Sequence, residues 1–251
     1  MRTVLAAAPQ ALPALRSLCR SVSVAHMAYS LSPDGQLLRS ANVSGGLMGI
    51  GGAFPSALSN RSELCRKILG ECRARRFFGV LTDFENIGEN PDIFVFSDEL
   101  GSILARDGRK LFVPQSCAVP SAQILICTAI SGGTLEELLL TCADRYGRER
   151  LALDCQRLTM DFTLPCRSGT GSAITEAQRL ALQERCGSPA FFSKELGCSY
   201  FSYQEAGRAH FVAFDTAPTL RYKRELGEKL GIETAFFMYP EVSDLLGDLF
   251  P

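Results

Sequence analysis

Tryptophan is absent from the 251-residue sequence, and histidine occurs only at His26 and His210. There is also no CxxC pair, so the ligand spacing of a metal cluster is missing and we expect neither metal nor cofactor. The net charge is −1, which argues against nucleic acid as the main partner. Apolar runs are shorter than a membrane span, and we predict no membrane-spanning helix.

The ten cysteines are scattered singly, several of them inside apolar runs where a thiol behaves as a small hydrophobic group. This pattern is typical of a reducing compartment, and we predict that no disulfide forms. The stretch 1–20 has an early arginine and is interrupted by Pro9 and Pro13. We interpret it as a strand and a helix of the fold and not as a signal peptide.

Short β-type runs alternate with helical stretches, without internal repeats or low-complexity linkers. Eight such runs predict an α/β protein with one (β/α)8 TIM-barrel domain over residues 1–251, although this length also allows two small domains. A Rossmann arrangement is the alternative, weakened because Gly49–Gly52 lacks the full glycine fingerprint. The predicted elements that bear on the site are strands Phe77–Phe84, Ile124–Ile130, Leu151–Phe162 and Ile232–Met238, helices Phe96–Arg106 and Leu220–Leu230, and a small β-hairpin insertion before the last helix, Tyr200–Tyr203 with His210–Phe214.

Two carboxylates, Asp83 and Glu85, lie near the end of the segment Phe77–Asn86. Alternate side chains of a strand share a face, so Leu81, Asp83 and Glu85 point together toward the axis of a parallel barrel. Glu85 then lies at the C-terminal mouth, where barrel active sites lie. Two carboxylates about 7 Å apart repel each other when both are ionised, which raises the pKa of one of them. Asp83 can therefore keep Glu85 protonated, as a general acid requires. The alternative is that these carboxylates cap the next helix or pair with a basic residue.

Phe77–Asn86 resembles the strand-four signature of glycoside hydrolase family 18, Asp-x-x-Asp-x-Asp-x-Glu, with Asp83 and Glu85 on its last two acidic positions. Gly46–Gly52 resembles the family's glycine-rich third strand. Two later segments resemble the seventh-strand region and the hairpin of the bacterial spore-cortex and germination subgroup, Met160–Pro165 and Tyr200–Phe214. The resemblance implies a TIM barrel that acts on N-acetylglucosamine-containing glycan of peptidoglycan or chitin type.

The resemblance also implies a substrate-assisted retaining mechanism, in which the 2-acetamido oxygen attacks its own anomeric carbon. Glu85 would protonate the leaving oxygen and then activate water, while Asp83 would orient the acetamido group. The further positions assigned to substrate binding are Gly51, Asn86, Asp161, Tyr203, Met238 and Tyr239. Packing is the alternative for Tyr203, and capping of a turn is the alternative for Asp161.

The chain departs from the family pattern at several positions. Phe78 and Leu81 occupy the first two acidic positions of the signature, and Ile126–Ile130 lacks the Tyr-Asp pair that ends the family's sixth strand. Met238 stands where the last strand carries a tryptophan. The retained acid pair favours an enzyme, and these losses favour a barrel that binds glycan or a protein partner without turnover. We expect a cytoplasmic or spore-associated location, and the oligomeric state stays open.

Overall fold

The computed structural model describes residues 1–15, 22–85, 90–166 and 170–250. The strands are β1 (Arg2–Ala7), β2 (Ser23–Leu31), β3 (Leu37–Arg39), β4 (Leu47–Ala53), β5 (Gly79–Glu85), β6 (Lys110–Pro114), β7 (Gln123–Cys127), β8 (Leu151–Asp154), β9 (Thr159–Leu164), β10 (Ser172–Ala173), β11 (Phe191–Ser193), β12 (Cys198–Glu205), β13 (Arg208–Phe214) and β14 (Thr234–Met238). The helices are α1 (Leu12–Leu15), α2 (Arg61–Ala74), α3 (Pro91–Arg106), α4 (Leu135–Tyr146), α5 (Glu176–Cys186), α6 (Ala217–Lys229), α7 (Tyr239–Val242) and α8 (Leu246–Leu249).

Eight parallel strands close into a ring in the order β1-β14-β8-β7-β6-β5-β4-β2. Strand β1 closes it, because Val4 is in register with Phe236 of β14 on one side and with Ser23 of β2 on the other. Strand β3 pairs antiparallel with the end of β2, outside the ring. The predicted (β/α)8 barrel is therefore confirmed, and the sheet is closed, unlike the open sheet of a Rossmann fold.

Because side chains alternate between the two faces of each ring strand, the barrel has two separate apolar cores. One fills the interior of the ring and consists of Val4, Ala6, Ala25, Leu47, Leu81, Phe112, Ala152 and Phe236. The other lies between the ring and the helices, and its buried residues include Val80 and Phe84 of β5 and Leu64 and Ile68 of α2. The predicted orientation of β5 is confirmed, because Leu81 packs in the interior of the ring and Val80 and Phe84 pack between the ring and the helices.

Helix α3 begins five residues before the predicted start at Phe96. The Asn90 side chain accepts a hydrogen bond from the Asp92 backbone N–H at 3.0 Å, and Pro91 occupies the first helical position. Both residues favour a helix N-terminus. None of the helices in the described ranges is long and apolar enough to cross a membrane.

A second, antiparallel sheet lies between β8 and α6 in the chain, in the order β10-β9-β13-β12-β11. The predicted hairpin is confirmed as β12 and β13, which turn at Ala206 and Gly207, both with positive φ. It belongs to a larger insertion than predicted, because three more strands and α5 accompany it. The predicted strand Leu151–Phe162 is wrong, since β8 ends at Asp154 and β9 belongs to the second sheet.

Candidate active site at the barrel mouth

Strand β5 brings two carboxylates to the C-terminal mouth of the ring. Leu81 packs in the interior core, and Asp83 and Glu85 follow it on the same face of the strand. Both side chains are exposed and line one cleft of about 410 Å³. The structure thus places the pair where the strand alternation predicts it.

The neighbouring strand leaves the cleft open beside these carboxylates. Gly51 of β4 is in register with Asp83. A Cβ atom at Gly51 would lie 3.2 Å from Cε of Met27 and 3.3 Å from the backbone oxygen of Asp83. A larger residue would therefore crowd both walls of the cleft, and the missing side chain keeps the mouth accessible.

Met238, the last residue of β14, lines the same cleft from the opposite side. The cleft therefore unites four of the eight residues predicted for the site, Asp83, Glu85, Gly51 and Met238. Tyr239 begins α7 and packs, partly buried, against the core between ring and helices. Asn86 lies outside the described residues.

Deeper in the mouth, a cavity of about 260 Å³ also contains Asp83 and Met238 in its wall. Two further carboxylates line it, Asp154 from the end of β8 and Glu241 from α7. Sequence reasoning missed both. An acidic residue at the C-terminal end of a ring strand is the same signal that marks Asp83 and Glu85, but the predicted strand ran past Asp154 to Phe162.

Burial and like charge act together on these carboxyls. Although Asp83 is exposed at the cleft, the surrounding protein displaces water from it and raises its pKa, and the nearby charge of Glu85 raises it further. Burial raises the pKa of Asp154 to about 6, with smaller contributions from the charges of Glu241 and Asp83. Burial also raises the pKa of Glu241, against an opposing hydrogen bond from the Arg157 backbone.

The sixth ring strand, β7, ends at Cys127. Leu125 faces the inner cavity, while Ala129 and Ile130 pack into two other apolar clusters. No tyrosine–aspartate pair stands at the end of this strand. Within the described ranges, no group of three or more His, Cys, Asp or Glu side chains is arranged to hold a metal ion.

Asp161 and Tyr203 lie together, but in the second sheet. The Tyr203 hydroxyl donates to Asp161 Oδ2 at 2.7 Å, and His210 Nδ1 lies 3.1 Å from Asp161 Oδ1. The Tyr203 and His210 rings stack with centroids 4.5 Å apart. Asp161 and Tyr203 line a third cavity, of about 400 Å³, which shares no lining residue with the cleft. The expected position of Asp161 at the end of the seventh ring strand is wrong, because Asp154 ends that strand.

No protein-family model and no curated protein sequence matches the chain. Solved structures do. A chitinase from Chromobacterium violaceum superposes with a TM-score of 0.69 at 17% identity, over 96% of this chain and 95% of that one. The spore cortex-lytic enzyme SleL of Bacillus megaterium gives 0.66 at 15% identity, over 100% of this chain and 74% of SleL.

A class V chitinase mutant from Cycas revoluta, in complex with (GlcNAc)3, gives a TM-score of 0.65 at 11% identity, over 100% of this chain and 98% of that one. At such identities the likeness is one of fold. The chain therefore has the (β/α)8 barrel fold of these chitinases and of SleL, which is the fold that the sequence resemblance predicts.

Proposed function

We propose that this chain is a glycosidase that hydrolyses N-acetylglucosamine-containing glycan, of peptidoglycan or chitin type. The observation that carries the proposal is the pair Asp83 and Glu85, side by side on one strand at the mouth of a closed barrel and open to one cleft. Support comes from structures of the same fold, which include chitinases, one of them bound to (GlcNAc)3, and spore cortex-lytic enzymes.

In this proposal hydrolysis proceeds in two steps. The 2-acetamido oxygen of the bound sugar attacks the anomeric carbon as the glycosidic bond breaks, and Glu85 gives its proton to the leaving oxygen. The Glu85 carboxylate then takes a proton from the water that attacks the anomeric carbon, which restores the acetamido group and retains the configuration. Because both carboxylates reach the sugar from one strand, neither is placed as a nucleophile on the opposite face.

Asp83 has the supporting role. Its carboxylate orients the acetamido group and stabilises the positive charge that develops on the cyclic intermediate. Gly51 and Met238, which share the cleft with it, are proposed to contact the reacting sugar. Asn86 and Tyr239 directly follow the ring strands β5 and β14 in the sequence, and we propose that they also contribute to sugar binding.

The test is release of product from N-acetylglucosamine oligomers and from peptidoglycan, with Glu85→Gln as the variant. General acid–base catalysis contributes about two to four orders of magnitude, so the rate should fall by at least that much while glycan binding persists. Glu184→Gln, an exposed position on α5, is the matched control and should keep the wild-type rate. Equal rates for wild type and Glu85→Gln would contradict the assignment.

A second candidate function is a barrel that binds glycan without turnover. It is favoured by the end of β7, which offers Leu125 and Cys127 and no tyrosine–aspartate pair, and by methionine at position 238. Saturable binding that is the same in wild type and Glu85→Gln, with no product after long incubation, would establish this function in place of hydrolysis.

A further inference from the structure

The barrel has a second opening at its N-terminal end, where the ring strands begin, on the side away from the mouth. A cavity of about 400 Å³ occupies this opening, and its wall includes Arg2, Phe78, Lys110, Phe112 and Thr234. No described residue of this wall lines the cleft or the inner cavity at the mouth. Small-molecule sites in proteins typically measure about 300–1,000 Å³. The cavity is therefore large enough for a ligand of its own.

Two cations of this wall point toward the axis of the barrel. Arg2 lies two residues before Val4 on β1. Lys110 lies two residues before Phe112 on β6. Val4 and Phe112 both pack in the interior of the ring. Because alternate residues of a strand share a face, Arg2 and Lys110 lie on the inner face of the ring, at its N-terminal end.

The side chain of Arg2 reaches across this opening. Its guanidinium carbon lies 4.7 Å from the centroid of the Phe78 ring. Phe78 directly precedes β5, and the first residue of that strand, Gly79, is in register with Lys110. Strands β1 and β6 stand opposite each other in the ring. Arg2 therefore brings its charge from the far side of the ring to the side on which Lys110 lies.

A hydroxyl and two aromatic rings belong to the same wall. Thr234 lies two residues before Phe236 on β14, and Phe236 packs in the interior of the ring, so Thr234 also faces inward. Phe78 and Phe112 pack with the same interior core and provide the apolar part of the wall. The cavity thus combines two cations and a hydroxyl with an apolar surface.

The two cations have no acidic partner within the described ranges. No ion pair joins the side chain of Arg2 or Lys110 to a carboxylate there. Glu233 borders the cavity, but it directly precedes β14 and lies on the face of Ala235 and Phe237, which pack outside the ring. The cations therefore lack a counter-ion, which an anionic ligand would supply.

A neighbouring cavity of about 360 Å³ shares Phe78 with this one and adds a further cation. Asp107, the acidic residue of its wall, is already paired with Arg73 at 2.5 Å and with Arg109. Arg76 also lines this cavity, is exposed and forms no ion pair with a described residue. Its φ of 58° lies in the left-handed region that favours glycine, so the backbone alone gives no reason for an arginine at this position. The excess of positive charge thus extends along the opening.

We propose that the N-terminal end of the barrel binds a small phosphate monoester, whose phosphoryl group lies between Arg2, Lys110 and Thr234. Two positive charges match the two negative charges of this group, and the guanidinium offers the paired N–H donors that bind phosphate oxygens. The organic part of the ligand packs against Phe78 and Phe112. A recessed site accepts a small molecule, whereas a nucleic acid or a membrane surface needs an extended basic face. This site is independent of the proposed glycosidase function.

Calorimetric titration of the full chain with phenyl phosphate at low ionic strength tests the site, and one molecule should bind per chain. Arg2→Met and Lys110→Met should each raise the Kd about tenfold or more, because each removes a charge-assisted hydrogen bond. Arg208→Met and Lys194→Met remove the same charge at exposed positions in or next to the second sheet, and they should keep the Kd within about twofold of the wild type. An equal loss in these controls, or no saturable binding to the wild type, would overturn the proposal.

NMR locates the ligand without any variant. Titration with phenyl phosphate should shift the ¹H–¹⁵N amide resonances of Lys110 and Thr234, with the midpoint that calorimetry gives. The amides of Asp83 and Glu85 should stay unchanged, because they lie at the opposite end of the barrel. Shifts confined to the mouth would place the anion there and contradict the proposed site.

Further probes define what the site recognises. Inorganic phosphate should bind more weakly than phenyl phosphate, because it offers nothing to Phe78 and Phe112, and uncharged benzyl alcohol should not bind. Equal Kd values for the two phosphates would contradict the apolar contact. Vesicles that contain phosphatidic acid test the source of the phosphoryl group. If the chain sediments with these vesicles but does not bind the soluble monoester, the partner is a membrane surface and the proposal fails.

Discussion

The ammonium group of Lys223 lies 2.6 Å from Oδ2 of Asp215, and both side chains are completely buried. Asp215 directly follows β13, and it also accepts hydrogen bonds from the Leu158 backbone N–H at 2.9 Å and from the Thr219 hydroxyl at 2.8 Å. One carboxylate therefore joins the chain just before β9, the chain just after β13, and α6. This ion pair joins the points where the chain enters the second sheet and leaves it to the helix that precedes the last ring strand.

We expect Lys223→Met to lower the free energy of unfolding by about 3–5 kcal/mol, because it leaves the Asp215 carboxylate buried without its cation. Urea denaturation followed by circular dichroism measures this change. Lys229→Met, an exposed lysine on the same helix, should change it by less than about 0.5 kcal/mol. A loss in Lys223→Met as small as in this control would show that the pair contributes nothing to stability.

Stability should depend on pH through Asp154. Its pKa is raised to about 6 in the folded chain, whereas an aspartate in the unfolded chain titrates near 3.9. Between these values the folded state binds more protons, so the free energy of unfolding falls as the pH rises from about 4 to about 6. The loss attributable to Asp154 is about 2 to 3 kcal/mol, at about 1.4 kcal/mol per pKa unit.

Asp154→Asn cannot ionise and should abolish this part of the pH dependence. The free energy of unfolding of the variant, measured relative to that of the wild type, should therefore be higher at pH 8 than at pH 4. Denaturation midpoints at the two pH values measure the difference, and Asp144→Asn serves as the exposed control. If the stability of the wild type and that of Asp154→Asn change by the same amount between pH 4 and pH 6, the pKa of Asp154 is not raised.

The cysteines should differ widely in reactivity. Burial raises the pKa of four thiols to about 12, those of Cys65, Cys72, Cys155 and Cys198. Cys166 is exposed. Since the thiolate is the reactive form, native alkylation should modify Cys166 first, and the buried thiols only after unfolding. Peptide mass spectrometry reads out the order, and an intact mass that increases on reduction would contradict the prediction that no disulfide forms.

The barrel and the place of the carboxylate pair could be predicted because both depend on local pattern. Apolar runs of strand length, separated by segments with helical periodicity, define the ring. The alternation of side chains between the two faces of β5 is enough to direct Asp83 and Glu85 into the mouth. The same reasoning failed at Asp154. There β8 and β9 are two β-type runs separated by only four residues, 155–158, and no turn signal marks the boundary.

A distant contact decides where β8 ends. Asp215, 57 residues further along the chain, holds the Leu158 backbone N–H and directs the chain out of the ring into the second sheet. Glu241 could not be predicted for a related reason. It lies in the short helix α7 after the last strand, and a helix of four residues shows no repeating apolar pattern from which the direction of a side chain could be inferred. The order of segments along the chain predicts Tyr203 and Asp161 at the mouth of the barrel. The pairing of β9 with β13 instead places both residues at another cavity.

The last prediction concerns Met238, which lines both the outer cleft and the inner cavity at the end of β14. A flat aromatic ring offers a larger apolar face to a sugar than a flexible thioether does. If the cleft binds N-acetylglucosamine units, Met238→Trp should lower the Kd for an N-acetylglucosamine oligomer severalfold. Met238→Leu keeps an apolar side chain without a flat face, and its Kd should stay close to that of the wild type.

Calorimetry compares the three proteins, and the tryptophan variant adds a direct reading. Because the natural sequence contains no tryptophan, the indole at position 238 is the sole one, and its emission reports the environment of the cleft alone. Glycan binding at this mouth should change that emission with the same midpoint that calorimetry gives. Calorimetric binding without any change in emission would mean that the glycan binds elsewhere, for example at the cavity of Asp161 and Tyr203, and the sugar site would then have to be moved away from Glu85.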